Sequence, residues 1–194
     1  MPRISTEEFG RLPLRVHDFL ADVPLHDVWA IDLQKRRPGI TLDEFMRAAG
    51  ALPFTPSPIV RALFSIRFFV GRLLGWDRER PATAKKSFAS RLTTADLSRS
   101  LAAAGTRHGP FRLVYRFEDE QLLELVNRTA HAAALSALVE TATAYRFYFG
   151  VYVDNVGRWT PVYMRLIDPF RKWIVYPSLL RSVRQTWNQT FGTA

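Results

Sequence analysis

The sequence predicts an α+β fold in which a curved antiparallel sheet packs against a long C-terminal helix. Three observations indicate this class. The segment "LHDVWAIDL", residues 25–33, is short, apolar and aromatic, as is typical of a strand. From Pro110 onward, alternating apolar runs follow one another with short turn-like breaks between them, which is the pattern of a meander. The end of the chain then carries an apolar stripe at helical spacing.

The composition fits one folded domain. The chain has 194 residues, of which 47% are hydrophobic and 23% charged, so it is able to bury a sizeable core. We expect a single domain over residues 25–190, with residues 1–24 as an N-terminal extension. The chain contains no cysteine, which excludes disulfides, thiol catalysis and cysteine-bearing zinc sites.

The formal net charge of +9 raises the question of an anionic partner. The cations are spread from Arg3 to Arg184 and form no tract, which favours solvated surface charge, and we expect no nucleic-acid partner. The N-terminus lacks the apolar run of a secretory signal, so we expect a cytoplasmic protein. Three arginines interrupt the apolar stretch 59–76, and their cost at bilayer depth argues against a membrane span.

The segments that follow the first strand predict two helices and a loop. Thr41 and Glu44 have the spacing of a capping box, and Gly50 marks the end of the first helix. Residues 59–76 place apolar side chains near one helical face, which predicts a second helix. Residues 77–109 carry charges and small side chains, so we predict mostly loop there.

The second half of the chain predicts strands followed by the long helix. In residues 144–153 the odd positions are apolar and aromatic, which is typical of a half-buried strand. Asp168 is the expected N-cap of the C-terminal helix, with Pro169 at its first position. We expect Pro177 to kink this helix because proline removes a backbone donor and crowds the preceding turn.

Residues 122–140, "LLELVNRTAHAAALSALVE", allow two interpretations. Alanine and leucine favour a helix, but the segment lies between strand-like runs at three-residue breaks, which suit hairpins. We predict one long bent strand. Its odd positions then place Asn127, Thr129 and His131 at the centre of an apolar face.

This order of elements resembles the helix-grip (START-like) fold, in which a curved sheet wraps the last helix and leaves a cavity between them. The amino-acid sequence also resembles a bacterial family of uncharacterised domains that looks like a branch of the START and polyketide-cyclase-like (SRPBCC) superfamily. The segments that carry the resemblance are "HDVWAIDL", "TLDEFMRA", "FFVGRLLGWD", "YRFEDEQLLELVNRTAHA", "YFGVYV" and "GRWTPVYMRLIDPFRKWIVYPSLLR". The resemblance implies a cavity for a small hydrophobic or amphipathic molecule. The chain departs from it at Ala132–Ala134, where a bulkier side chain is expected after the histidine.

A pocket of this kind combines apolar walls with a few polar groups that orient the ligand. Asn127 offers a donor and an acceptor, Thr129 a hydroxyl, and His131 an imidazole that titrates near neutral pH. The simpler interpretation of His131 is a histidine bonded to a neighbouring side chain in a filled core. The predicted ligand-binding residues are Trp29, Phe111, Tyr115, Asn127, Thr129, His131, Phe147, Phe149, Thr160, Val162 and Met164.

Three functions are compatible with this pattern. The first is a non-catalytic binder of a small hydrophobic or amphipathic molecule. The second is an enzyme of the cyclase or dehydratase type, with His131 as general acid or base and Tyr115 as a proton donor. The third is a peripheral membrane protein that uses residues 59–76 at the interface. We expect no cofactor and no metal, because the sequence lacks phosphate-binding and dinucleotide motifs and a close histidine pair.

The other face of the predicted sheet offers a mixture of aromatic and cationic side chains that is typical of protein interfaces. A homodimer through this face is one hypothesis, and an outer face partly covered by loops is the other. The residues concerned are Arg146, Tyr148, Tyr152, Trp159, Tyr163 and Arg165.

Overall fold

The computed structural model describes residues 4–49, 86–126, 131–154, 165 and 168–192. Its strands form one antiparallel sheet, in the order β1-β6-β5-β4-β3-β2. The elements are α1 (Thr6–Gly10), α2 (Val16–Phe19), β1 (Leu25–Gln34), α3 (Leu42–Ala49), a 3-10 turn (Phe88–Arg91), α4 (Thr94–Arg99), β2 (Arg107–His108), β3 (Phe111–Arg116), β4 (Glu120–Val126), β5 (His131–Glu140), β6 (Ala144–Asp154), a π turn (Arg171–Val175) and α5 (Tyr176–Phe191). The α+β class, the antiparallel sheet and the C-terminal helix are confirmed.

The sheet is covered on both faces. On the C-terminal face, α3 and α5 pack on side chains such as Ile31, Phe147 and Val153. On the N-terminal face, residues 4–24 and the 3-10 turn pack on side chains such as Leu135 and Tyr152. The segment predicted as an extension therefore contributes to the core. Each large side chain that it buries stabilises the fold by about 1.5–3 kcal/mol; the members concerned are Phe9, Leu14, Val16, Phe19, Leu20 and Val23.

Residues 120–140 form two strands and not the single long strand that was predicted. β4 and β5 pair as a hairpin, with Val126 opposite His131 and Leu123 opposite Ala134. Partners directly across an antiparallel pair share a face. Since each pair joins an even and an odd position, the odd residues of β5 lie on the opposite face from those of β4. The strand conformation of residues 131–140 agrees with the prediction, whereas Asn127 and Thr129 lie outside the described residues.

Two predictions about the segments before the meander have different outcomes. The helix predicted from Thr41 is present as α3, and the Thr41 hydroxyl accepts the Glu44 amide at 3.1 Å. Residues 86–109, predicted as loop, contain the 3-10 turn and α4, which are too short to show apolar periodicity. α4 is instead set by a capping box between Thr93 and Asp96. The second predicted helix, at residues 59–76, lies outside the described residues.

The C-terminal helix accommodates its proline with a π turn. The Tyr176 amide donates to the carbonyl of Arg171, five residues back, immediately before Pro177. A proline lacks an amide hydrogen and crowds the carbonyl four residues earlier, which favours a wider turn immediately before it. Further along, the Trp187 indole N–H donates to the Gln34 carbonyl at 2.9 Å and ties α5 to β1. None of the helices in the described segments is long and apolar enough to cross a membrane.

Candidate functional site beneath the N-terminal helices

A cavity of about 360 Å³, widely open to solvent, lies between the first two helices and the sheet edge formed by β1 and β6. Its volume falls within the range of about 300–1,000 Å³ that is typical of small-molecule sites. Most of its walls are apolar. The lining residues are Thr6, Phe9, Gly10, His17, Leu20, Ala21, Asp22, Val23, Pro24, Leu25 and Tyr152.

Local hydrogen bonds hold the two helices over the sheet. The Ser5 hydroxyl caps α1 by accepting the Glu8 amide at 3.1 Å. The buried Glu120 carboxylate, from β4, accepts the amide of Arg15 at 2.8 Å and that of Val16 at 3.4 Å, so it satisfies amides at the start of α2. The two bonds to Glu120 hold α2 in position over the cavity.

His17 lines the cavity and carries an unused hydrogen-bond acceptor. Burial lowers the pKa of His17, and a hydrogen bond to the Phe9 carbonyl opposes this shift. The ring nitrogen that donates to Phe9 carries the proton. Nε2 is buried and has no hydrogen-bond partner within the described segments. A neutral imidazole protonated at its other nitrogen therefore presents an unused lone pair at Nε2.

A group of protonatable side chains lies under α2, beside the cavity. Burial, followed by the nearby charge of Asp119, raises the pKa of Glu120 to about 7. Tyr152, which lines the cavity, and Tyr115 both have raised pKa values. Burial is the larger cause for each phenol, and the charge of Glu120 is the next. Both phenols are consequently neutral at physiological pH, where each is able to donate a hydrogen bond.

The structure divides the predicted ligand-binding residues between the two faces of the sheet. Tyr115 belongs to the N-terminal face, whereas Phe147 and Phe149 belong to the C-terminal face, with Trp29 paired to Phe149. Phe111 pairs with His108 in β2. None of these residues lines the cavity. Asn127, Thr129, Thr160, Val162 and Met164 lie outside the described residues.

His131, the candidate general acid or base, lies in the core of the N-terminal face and is 1% exposed. Its Nε2 is 3.3 Å from Glu124 Oε2, and its ring stacks on Phe88 with 3.8 Å between centroids. The Ser87 hydroxyl and the Phe88 amide also donate to Glu124. Burial alone would raise the pKa of Glu124, but these hydrogen bonds outweigh it and lower that pKa. The imidazole thus contacts core groups and does not line the cavity.

The residues of the hypothetical dimer face are placed as follows. Tyr148 and Tyr152 are buried under the chain's own N-terminal residues. Arg146 is bound to Asp32 at 2.7 Å and to Glu8 at 3.3 Å. Arg165 is exposed. Trp159 and Tyr163 lie outside the described residues.

Sequence reasoning missed the cavity because it set residues 1–24 aside as an extension. A signal was present. Val16, Phe19, Leu20 and Val23 have the spacing i, i+3, i+4, i+7 of an amphipathic helical turn that requires a surface to cover. Two polar lining residues of the cavity, His17 and Asp22, are interspersed with this pattern.

The comparisons with known proteins return one match. A family model described as "Protein of unknown function (DUF2867)" matches residues 19–178. The matched range includes all six strands and the π turn, and it leaves out α1. No curated protein and no solved structure matches the chain.

Proposed function

We propose that this chain, which belongs to the DUF2867 family of proteins of unknown function, binds a small amphipathic molecule in the cavity beneath α1 and α2. One observation carries the proposal: an apolar cavity of about 360 Å³ is lined by His17, whose Nε2 is buried and unpartnered among the described residues and is reached by a ligand when the ring turns towards the cavity. Apolar walls supply affinity, and a lone acceptor orients the ligand.

The His17 acceptor selects the polar group of the ligand. A bare Nε2 lone pair attracts a hydroxyl or N–H donor and repels a carboxylate. Asp22 and Tyr152 also line the cavity. The Asp22 carboxylate is bound by Arg91 at 2.6 Å. The class of ligand that fits is therefore a neutral, mostly apolar molecule with one hydrogen-bond donor.

The energetic contributions are of different sizes. Burying the apolar part of the ligand contributes about 25 cal/mol for each Å² removed from water. The hydrogen bond to Nε2 adds about 0.5–1.5 kcal/mol, which corresponds to roughly a 2–10-fold change in affinity. The apolar walls thus determine whether a ligand binds, and His17 determines which of two similar ligands is preferred.

We also propose that the fold is of the helix-grip type and that the family is a bacterial, cytoplasmic relative of the START and polyketide-cyclase-like superfamily. An antiparallel sheet followed by a long C-terminal helix supports this relation. The ligand position proposed here differs from the expected one, because the expected cavity lies between sheet and last helix. On that side Phe45, Tyr145 and Trp187 fill the space with ring contacts of 5.2–5.3 Å.

A pair of naphthalene probes tests the binding proposal. 2-Naphthol carries a hydroxyl donor, whereas 2-methoxynaphthalene has a similar apolar body and no donor. We expect isothermal titration calorimetry to show that 2-naphthol binds roughly 2–10-fold more tightly. The variant His17→Phe should bind both probes equally.

A cavity-filling variant provides the second arm of this experiment. A Cβ atom built on Gly10 meets nothing within 4 Å, and Gly10 lines the cavity, so a side chain there has room. Gly10→Phe should abolish the binding of both probes, and the matched control Gly10→Ala should retain it. Unchanged affinity in Gly10→Phe, or a preference for 2-naphthol that survives His17→Phe, would overturn the proposal.

A further inference from the structure

A second group of polar side chains lies on the opposite face of the sheet. His26 and Asp27 stand at the start of β1, next to an irregularity of pairing between Leu25 and Asp27. Asp168 is itself helical, in the segment immediately before the π turn, and is not the N-cap that the sequence predicted. His26 Nε2 is 2.9 Å from Asp168 Oδ1. One nitrogen or oxygen atom from each of the three residues lies within 4.8 Å of the other two. Residues distant in the chain thus converge on one point.

Asp27 is the unusual member of this group. Its side chain is 0% exposed, and neither carboxylate oxygen has a hydrogen-bond partner in the described ranges. Among the described residues, Arg171 forms the ion pair with Asp27, with Nη2 3.8 Å from Oδ2. A buried carboxylate without hydrogen bonds costs several kcal/mol of folding free energy unless a positive group or a proton compensates it. Arg171 lies too far from Asp27 to donate a hydrogen bond and offsets the charge only in part, so a bound cation would stabilise this carboxylate further.

We propose that His26, Asp27 and Asp168 bind a divalent transition-metal ion of the zinc class. One imidazole and two carboxylates form a mixed nitrogen and oxygen donor set, which suits Zn²⁺ and its neighbours better than Mg²⁺ or Ca²⁺. A tetrahedral zinc ion holds donors that are about 2.0–2.2 Å from it roughly 3.4 Å apart. The 2.9 Å contact between His26 Nε2 and Asp168 Oδ1 is a hydrogen bond, so these two side chains need to separate by only about 0.5 Å to bind the metal together.

Two basic side chains compete with the metal for Asp168. Lys172 Nζ lies 2.9 Å from Oδ2, and Arg171 Nη1 lies 3.2 Å from Oδ1. Arg171 also donates to the Tyr176 hydroxyl. Lys172 is 33% exposed and has a long, flexible side chain, so it moves to solvent when a metal binds. The metal affinity is therefore limited by the loss of the Lys172 ion pair.

The site is independent of the proposed ligand cavity. Asp27 pairs with Val151, which belongs to the C-terminal face, whereas the cavity is on the N-terminal face. None of the three metal-binding residues lines the cavity. The naphthalene probes and the metal titration therefore test separate surfaces, and either proposal can fail alone.

Titration of the full-length, EDTA-treated chain with ZnCl2 and with MgCl2 tests the inference. We expect one Zn²⁺ to bind by calorimetry at least about tenfold more tightly than Mg²⁺. Asp27→Asn should weaken Zn²⁺ binding at least about tenfold. Lys172→Ala should strengthen it several-fold, because it removes the competing ammonium. The matched control Asp32→Asn changes an exposed carboxylate of the same strand and should bind Zn²⁺ as the wild type does.

A spectroscopic arm distinguishes this site from adventitious binding at other histidines. Co²⁺ should give a visible absorption band that is lost in His26→Ala and retained in His108→Ala. Thermal unfolding of each variant without metal shows whether it is folded. Zn²⁺ affinity that is unchanged in Asp27→Asn, or that falls in Lys172→Ala, would overturn the inference, as would an absence of binding at millimolar Zn²⁺.

Discussion

The Nε2 atom of His131 lies 3.3 Å from the Oε2 atom of Glu124, and the two side chains are 1% and 2% exposed. The pair joins β5 to β4 across the start of the hairpin, and Glu124 extends the connection to the 3-10 turn through Ser87 and Phe88. These buried contacts hold Ser87 and Phe88 against the sheet. Removing His131 takes one hydrogen bond from Glu124, which keeps its bonds from Ser87 and Phe88.

His131→Ala should therefore destabilise the protein by about 2–4 kcal/mol, because it removes one of three hydrogen bonds to the buried Glu124 carboxylate and the ring stacked on Phe88. Urea denaturation at pH 7 measures this change. The control Asp32→Asn breaks a largely exposed pair with Arg146 and should cost under about 1 kcal/mol. A loss in His131→Ala no larger than the control's would contradict the structural role. The folded fraction of His131→Ala should keep its affinity for 2-naphthol.

The Glu120 carboxylate should make stability fall as pH rises. Its pKa is about 7 in the folded protein, where burial is the main cause, against an ordinary 4.5. A raised carboxyl pKa means that the folded state holds the proton more tightly. The contribution of Glu120 to the free energy of unfolding is therefore complete below pH 4.5. It is lost as the pH rises through about 7, by up to about 3 kcal/mol.

Comparison with Glu120→Gln isolates this effect. The amide does not titrate, so the stability of the wild type relative to Glu120→Gln should decline between pH 5 and pH 8. His17 has a lowered pKa and acts in the opposite direction over an overlapping range, but both proteins retain it. Chemical denaturation at four pH values measures the difference. A constant difference across the range would refute the prediction.

Asp96 should govern part of the stability in acid. Its pKa is held at about 2 chiefly by hydrogen bonds from Arg15, at 2.9 and 3.1 Å, with further bonds from Thr93. A carboxyl whose pKa is lowered in the folded state adds to the free energy of unfolding at pH values above its ordinary pKa of 3.8. This contribution, up to about 2 kcal/mol, is lost as the pH falls through about 2. Asp96→Asn should lose this part of the acid dependence.

Stability measured at pH 5 and at pH 2.5 provides the check for Asp96. The wild type should exceed Asp96→Asn by about 1–2 kcal/mol at pH 5, and the gap should narrow at pH 2.5. The control Asp119→Asn removes an exposed partner of Arg99 and should show neither effect. A gap that is the same at both pH values would mean that Arg15 does not act on the Asp96 charge.

Trp187 should contribute more to the free energy of unfolding than any other side chain of α5. It is fully buried, contacts Phe45 and Tyr145, and donates to the Gln34 carbonyl. Trp187→Ala should cost about 3–5 kcal/mol. Trp173→Ala, at a site 82% exposed, should cost under about 0.5 kcal/mol. Guanidinium denaturation of both variants tests whether burial decides the cost.

The sequence predicted the elements whose signals are local. The strand predicted at residues 25–33 is β1, and the alternating segment 144–153 lies within β6. The helix begun by Thr41 is α3, and the C-terminal helix is present around its proline. Each of these elements carries its own periodicity or cap, so neighbouring residues are sufficient to specify it.

The faces of the sheet could not be predicted in this way. The alternation of a strand tells which residues lie together, but the pairing register decides how that alternation continues in the next strand, and between β5 and β6, which residues 141–143 connect, odd positions pair with even ones. For this reason His131 and Phe147, which share a parity in the sequence, lie on opposite faces. The residues grouped in one predicted pocket are consequently divided by the sheet.

By itself, the sequence determined the α+β class, most strand positions and the amphipathic patterns that demand a partner surface. Only the tertiary structure decided that residues 4–24 cover one face, and that His26 meets Asp168 across 142 positions of the chain. The physical reason is that periodicity records the burial of a residue but not what buries it. The partners are chosen by strand register and by the packing of segments distant in sequence.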